Sequence, residues 1–158
     1  FLYKGSAKDA LLTLKKIKNK RLARFFAEEM YLTVINKYKD VRFDAIIPVP
    51  LHKSREKSRG YNQSLLIANE LSAMMKVPVM PDVLTRLKAA KPQHTLSHKQ
   101  RRQNVKGIYK ASSIPIECQR VLLVDDIMTS GSTLNECAKM LRLEGVTKIY
   151  CITAAKAE

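Results

Sequence analysis

Asp125 and Asp126 follow the apolar run Val121-Leu122-Leu123-Val124 and precede Ile127-Met128 and Thr129-Ser130-Gly131-Ser132-Thr133. Paired carboxylates can accept hydrogen bonds from vicinal hydroxyls or hold a magnesium ion through water. A Thr/Ser/Gly loop that runs into a helix offers amides and hydroxyls that wrap a phosphate at the positive helix end. One short segment thus supplies partners for a sugar, a metal and a phosphate. Each part has a plain alternative, since many buried strands end in Asp and many such loops only cap a helix. The complete order of parts sets this run apart. The five glycines, Gly5, Gly60, Gly107, Gly131 and Gly145, form neither a Gly-x-x-x-x-Gly-Lys-Ser/Thr loop nor a Gly-x-Gly-x-x-Gly turn, which excludes the common nucleotide fingerprints.

A second candidate segment runs from Ile46-Ile47-Pro48-Val49-Pro50 through a stretch rich in cations to Arg59-Gly60-Tyr61-Asn62-Gln63. Read as a loop at a strand end, it can turn Lys53, Arg55 and Arg59 into one crevice. The Arg fork matches phosphate oxygens, as a pyrophosphate would need; the alternative is a surface turn with scattered charge. A third segment, Arg86 to Tyr109, holds Lys91, Gln93, His94, Thr95, Leu96, Arg101, Arg102 and Asn104. His94 and His98 can donate protons, although a loop histidine is by default merely solvated.

The elements that must position these groups follow from periodicity. Apolar residues three and four apart, Leu11, Leu14, Ile17 and then Leu22, Phe25, Phe26, Met30, predict helix from about residue 7 to 38 with a break at Asn19. Residues 43–49 read as a buried strand stopped by Pro48 and Pro50. A helix is expected over 62–75 with Leu65, Ala68, Leu71 and Met75 inward. Short strands are expected over 79–84 and 107–111, the central strand over 120–124, a helix over 132–143 closed by Gly145, and a last strand over 147–153. Residues 88–106 are polar, basic and weakly periodic, and read as a long mobile loop. Alternating strands and helices imply an α/β fold, a parallel sheet flanked by helices on both faces.

The 158 residues fit one domain and carry a net charge of +15, which points to a polyanionic partner. No acidic residue occurs between Val83 and Ile116, and a second basic cluster spans Lys4 to Arg24; a solvated Lys-rich surface is the simpler alternative. Cys118, Cys137 and Cys151 include no Cys-x-x-Cys pair and read as reduced thiols of a cytoplasmic protein. No stretch suggests membrane insertion or a signal peptide. The opening Phe1, in place of Met, suggests a trimmed chain.

The run 121–133 resembles the phosphoribosyl-pyrophosphate (PRPP) motif of type I phosphoribosyltransferases: four apolar residues, two acidic residues, two mostly apolar ones, then Thr/Ser-Gly-x-Thr. Together with Pro48-Val49-Pro50, Arg55, Arg59-Gly60-Tyr61-Asn62-Gln63, Arg86, Gln93, Leu96, Arg101, Asn104, Tyr3-Lys4-Gly5 and Leu14-Lys15, it resembles the ComFC family of competence proteins, an amidophosphoribosyltransferase-like branch, over nearly the whole chain. The resemblance implies a type I phosphoribosyltransferase fold, with a helical segment at 1–40 packed on a phosphoribosyltransferase-like domain at 41–158. It implies that Asp125 and Asp126 contact the ribose hydroxyls of PRPP or ribose 5-phosphate, and that Thr129, Ser130, Gly131, Ser132 and Thr133 hold the 5′-phosphate. Lys53, Arg55 and Arg59 would lie near the pyrophosphate. Residues 88–104, with Gln93, Arg101, Arg102 and Asn104, would form a basic, flexible hood. Mg²⁺ would arrive with PRPP, without a direct protein ligand. The implied role is phosphoribosyl transfer to an unidentified acceptor, in DNA uptake and natural transformation, with single-stranded DNA and other competence-machinery proteins as partners. The rival expectation is a single-stranded-DNA-binding protein that keeps the PRPP pocket without turnover. Many family members carry an N-terminal four-cysteine zinc finger, which this chain lacks, and Tyr61 and Tyr109 stand where many have Phe.

Overall fold

A computed structural model of the chain describes residues 1–88 and 107–157. The central layer is a three-stranded parallel sheet in the order β1, β4, β5: β1 (Ala45–Pro48), β4 (Arg120–Met128) and β5 (Lys148–Lys156). Ala45 pairs with Val121 and Pro48 with Val124 on one side of β4, and Leu122 with Tyr150 and Asp125 with Thr153 on the other. Single bridges extend both edges, Val79 beside Ile46 and Leu2 beside Lys156. β2 (Leu84–Arg86) and β3 (Tyr109–Ala111) form a separate antiparallel pair.

Helices cover both faces, as a doubly covered parallel sheet requires. Successive side chains of a strand point to opposite faces. Leu122 and Val124 pack in one cluster with α1 (Gly5–Lys16), α2 (Lys20–Lys37) and α4 (Gln63–Met75) through Leu11, Leu14, Phe26, Met30, Ile67 and Leu71. Val121 and Leu123 pack in a second cluster with α5 (Ser132–Leu143) and the β2–β3 pair through Leu134, Cys137, Leu141, Leu84 and Tyr109. All four residues of the run 121–124 are fully buried. Burying each such side chain contributes about 1.5–3 kcal/mol, so this strand anchors whatever its carboxyl end carries.

Local chemistry explains the boundaries. Asn19 separates α1 from α2 because its side-chain oxygen accepts the Leu22 amide at 3.1 Å, an N-cap. Asn62 caps α4 in the same way, accepting the Ser64 amide at 2.9 Å. Several expectations need correction. The cationic stretch after Pro50 is a short helix, α3 (Lys53–Arg59), rather than a loop. His52 caps its start, and Gly60 closes it at φ 80°, a left-handed conformation that glycine adopts without a Cβ clash. β4 does not stop at Val124 but continues through both carboxylates, because β5 runs beside it as far as Met128 opposite Lys156. Ile17 and Phe25, members of the apolar repeat, are exposed. Residues 79–83 form only the Val79 bridge, and the strand begins at Leu84.

Candidate functional site

The carboxyl ends of β1 and β4, the start of α4, the end of α1 and the start of α5 meet at Asp125 and Asp126. Both residues are buried, with 8% and 6% of their surface exposed. The two carboxyls lie near one another at the strand end, and each has its own partner from the helices beside it. Asp125 Oδ1 accepts the Ser64 hydroxyl at 3.0 Å and the Asp126 amide at 2.9 Å. Burial, and next the neighbouring Asp126 charge, push the Asp125 carboxyl well above the ordinary carboxylate range, only partly offset by those two hydrogen bonds. Asp126 Oδ2 faces the Lys15 ammonium at 2.8 Å. Among the described residues it has no hydrogen-bond donor besides that cation.

Ser64, like Lys15, is a partner of the acid pair to which sequence reasoning assigned no site role. It lies just inside α4, two residues after the Asn62 cap, and is 1% exposed. A hydroxyl in the first turn of a helix after a cationic segment was the available signal. Asn62 also donates to the Val49 carbonyl at 3.0 Å. A run of hydrogen bonds, Val49 to Asn62 to Ser64 to Asp125, therefore ties the end of β1 to the end of β4.

The loop 129–131 leads into α5. Gly131 occupies the N-cap position at φ 72°, and no side chain caps the helix there. The first amides of a helix have no partner within it, so this end can receive an anion. Ser130 and Ser132 hydroxyls lie 2.7 Å apart, and a small concavity is lined by Asp125, Thr129, Gly131, Ser132 and Thr133. Thr133 also reaches Tyr109, whose hydroxyl pKa is raised chiefly by burial. The structure thus assembles five of the expected phosphate and ribose residues in one hollow, with Asp126 next to Asp125 and Ser130 beside Ser132.

The expected pyrophosphate cations separate. Lys53 lines a larger hollow with Pro48, Pro50, Asn62, Leu84 and Arg86. Arg59 donates to Gln63, and Arg55 stands exposed on α3. Arg86 joins the hollow from β2 and lies 5.6 Å from the centre of the Tyr109 ring. The hood expected at 88–104 falls almost wholly outside the described residues, together with Gln93, Arg101, Arg102 and Asn104. Tyr61 and Tyr109 are buried, at 8% and 4% exposure, so neither offers a face on which a base could stack. Among the described residues no cluster of three or more His, Cys, Asp or Glu side chains could hold a metal ion, and no helix is long and apolar enough to cross a membrane.

Tyr61 instead has a structural role at the site. Its hydroxyl donates to the Leu14 carbonyl at 2.7 Å in a buried setting. That carbonyl lies in the last turn of α1, where helical carbonyls lack partners. Tyr61→Phe is expected to destabilise the protein by about 1–3 kcal/mol, the cost of leaving a buried acceptor unpaired. Urea denaturation checks this, and an unchanged midpoint would remove the role.

The fold, a parallel sheet covered by helices on both faces, is the type I phosphoribosyltransferase fold. The fold matches adenine phosphoribosyltransferase with a TM-score of 0.55 at 13% identity, over 88% of this chain and 72% of that one. It also matches the glutamine PRPP amidotransferase of B. subtilis with a TM-score of 0.52 at 20% identity, over 84% of this chain and 26% of that one. Residues 61–158 match the phosphoribosyl transferase domain model. The chain belongs to that family, and the ComFC resemblance is borne out by its curated relatives. Competence protein F of Haemophilus influenzae is 43% identical over 116 residues, covering 72% of this chain and 51% of that protein. The DNA utilization protein YhgH of Escherichia coli O157:H7 is 35% identical over 69% of this chain and 48% of its own length. Competence protein ComFC of Bacillus subtilis is 28% identical over 92% of this chain and 57% of its own length. The chain therefore spans about half the length of the curated relatives it matches.

Proposed function

We propose that residues 125–133 bind the ribose 5-phosphate moiety of PRPP, with Mg²⁺, and that the protein serves DNA uptake as a phosphoribosyltransferase-like component. The observation that carries this reading is the adjacency of a buried acid pair to the uncapped start of α5 on one strand edge. A vicinal diol fits carboxylate acceptors, and a phosphate fits free helix amides. Lys53 and Arg86, in the neighbouring hollow, carry the charge a diphosphate needs. Two carboxylates, already engaged by Ser64 and Lys15, suit a Mg²⁺ that keeps its waters and rides on the ligand phosphates. Asp125 and Asp126 would reach it through water, and it would screen the diphosphate charge.

In the transfer reaction a nucleophile on an acceptor attacks the anomeric carbon. The bond from that carbon to the pyrophosphate oxygen breaks, pyrophosphate leaves with the electron pair, and the nucleophile releases its proton to solvent. Calorimetry with PRPP and MgCl₂ tests the binding, and pyrophosphate release with candidate acceptors tests turnover. Binding with no release across acceptors would favour the rival reading, a binding protein with a retained pocket. No binding of PRPP or ribose 5-phosphate would remove both.

The net charge of +15 supports single-stranded DNA as a partner, held through phosphates. Each neutralised phosphate of a single strand contributes about −0.7 to the slope of log K against log salt, so four to six contacts give roughly −3 to −4. Arg101→Ala with Arg102→Ala should flatten the slope in a fluorescence-anisotropy salt series. A slope near zero for the unmodified protein would leave the charge as a solvated surface.

A further inference from the structure

We infer that the N-terminal helix is part of the ligand site, with Lys15 a positioning residue that fixes the Asp126 carboxylate and cancels its charge ahead of a polyanionic ligand. The inference rests on the ribose-phosphate reading of residues 125–133.

Three observations carry it. First, Lys15 Nζ lies 2.8 Å from Asp126 Oδ2, while the Lys15 side chain is 28% exposed and that of Asp126 is 8% exposed. The ammonium is the more exposed of the two partners, and the carboxylate is held inside. Second, Oδ2 has no other donor among the described residues, whereas Asp125 is held by a hydroxyl and an amide. Among the described residues, removing Lys15 therefore leaves Asp126 Oδ2 without a donor, and an uncompensated buried charge is strongly unfavourable. Third, the turn bearing Lys15 is anchored. Leu11 and Leu14 are fully buried among α2 and α4, and the Leu14 carbonyl accepts the Tyr61 hydroxyl. Lys15 is thus placed by the core of the fold.

The consequence concerns charge. A phosphate-rich ligand approaching two adjacent carboxylates meets repulsion, which in a partly buried site is weakly screened. With Lys15 on Oδ2, the other oxygen of Asp126 remains an acceptor for a hydroxyl, and the carboxylate no longer opposes the ligand phosphates. The sugar-binding acid and its counter-charge come from opposite ends of the chain, so the helical segment at the N-terminus supplies part of the site's chemistry.

The test compares wild type, Lys15→Met, Lys15→Gln, Lys15→Arg, Asp126→Asn and Lys15→Met/Asp126→Asn by calorimetry with PRPP and MgCl₂, with thermal melts alongside. Lys15→Met and Lys15→Gln should weaken PRPP binding by about tenfold or more. Lys15→Arg should remain within about threefold of wild type, because the guanidinium also pairs with a carboxylate. In the Asp126→Asn background, Lys15→Met should add less than about a further twofold, since groups that act through one contact are not additive. A purely structural lysine would lower the melting temperature without this rescue and non-additivity. If wild type binds PRPP and the Met and Gln variants bind as well or more tightly, Lys15 is a bystander or a competitor and the inference falls. A full additional loss in the Asp126→Asn background also overturns it. If wild type itself fails to bind PRPP, the ribose-phosphate reading falls and takes this inference with it.

Discussion

Asp125→Asn combined with Asp126→Asn is expected to weaken binding of PRPP with Mg²⁺ by roughly tenfold to a hundredfold or more. A hydrogen bond to a charged acceptor is worth about 1.5–3 kcal/mol, and the double substitution removes both carboxyl groups at the end of β4. The fold should survive. Asn keeps the shape of Asp, and a side-chain carbonyl at position 125 can still accept the Ser64 hydroxyl and the 126 amide that Asp125 now receives at 3.0 Å and 2.9 Å. Lys15 loses its ion-pair partner but is partly exposed and can turn to water. The loss should therefore be one of affinity with little change in circular dichroism. Calorimetry giving equal affinity for wild type and the double variant would detach the acid pair from ligand binding and return it to a structural role.

The framework around that pair was legible because its signals are local. The run 121–124 is apolar at every position, as a strand buried on both faces must be. Asn19 and Asn62 announce helix starts through their own side-chain hydrogen bonds, and Ser132–Leu143 carries an inward stripe of Leu134, Cys137 and Leu141. α3 was hidden for the opposite reason. Lys53-Ser54-Arg55-Glu56-Lys57-Ser58-Arg59 buries none of its residues, so no periodicity marks it, and only the end signals at His52 and Gly60 remain. The end of β4 was misread because Asp is poor in strands, while the pairing of Asp125 with Thr153 is decided by β5. The partners of the acids are tertiary facts. Nothing near Lys15 in the chain points to Asp126, and nothing near Ser64 points to Asp125. The burial of Tyr61 and Tyr109 likewise follows from their neighbours, the Leu14 carbonyl in one case and the α5 face in the other.

Asp125 should also make stability depend on pH, because it is held in a position that disfavours its charge. Burial and the adjacent Asp126 raise its pKa well above the ordinary value. Asp126 has a cation within 2.8 Å. The sign follows from proton uptake. Between the unfolded pKa of about 3.9 and the raised folded value, the native state binds the proton and the unfolded state has released it. Stability rises with pH only where the unfolded state binds more protons; here the native state binds more, so this group's contribution falls as pH rises through the window. Above the folded value the penalty is complete and constant. Other groups titrate too. The Asp44 pKa is lowered by the Arg120 and Gln119 amides and the Arg120 guanidinium, although its burial works the other way, so its contribution runs oppositely. The clean quantity is therefore the difference between Asp125→Asn and wild type at each pH. Asn cannot ionise, so the variant should match wild type near pH 4 and become progressively more stable than it as pH rises toward neutrality. A gain of about 1 kcal/mol at pH 7 would raise the melting temperature by about 2–4 °C for a chain of this size. The same variant should bind PRPP more weakly, which makes the acid a case of stability given up for function. Melting curves from pH 4 to 8 measure this. A variant that is less stable than wild type at pH 7, with a difference that does not change with pH, would mean that Asp125 is a satisfied structural acceptor and that its burial imposes no electrostatic strain.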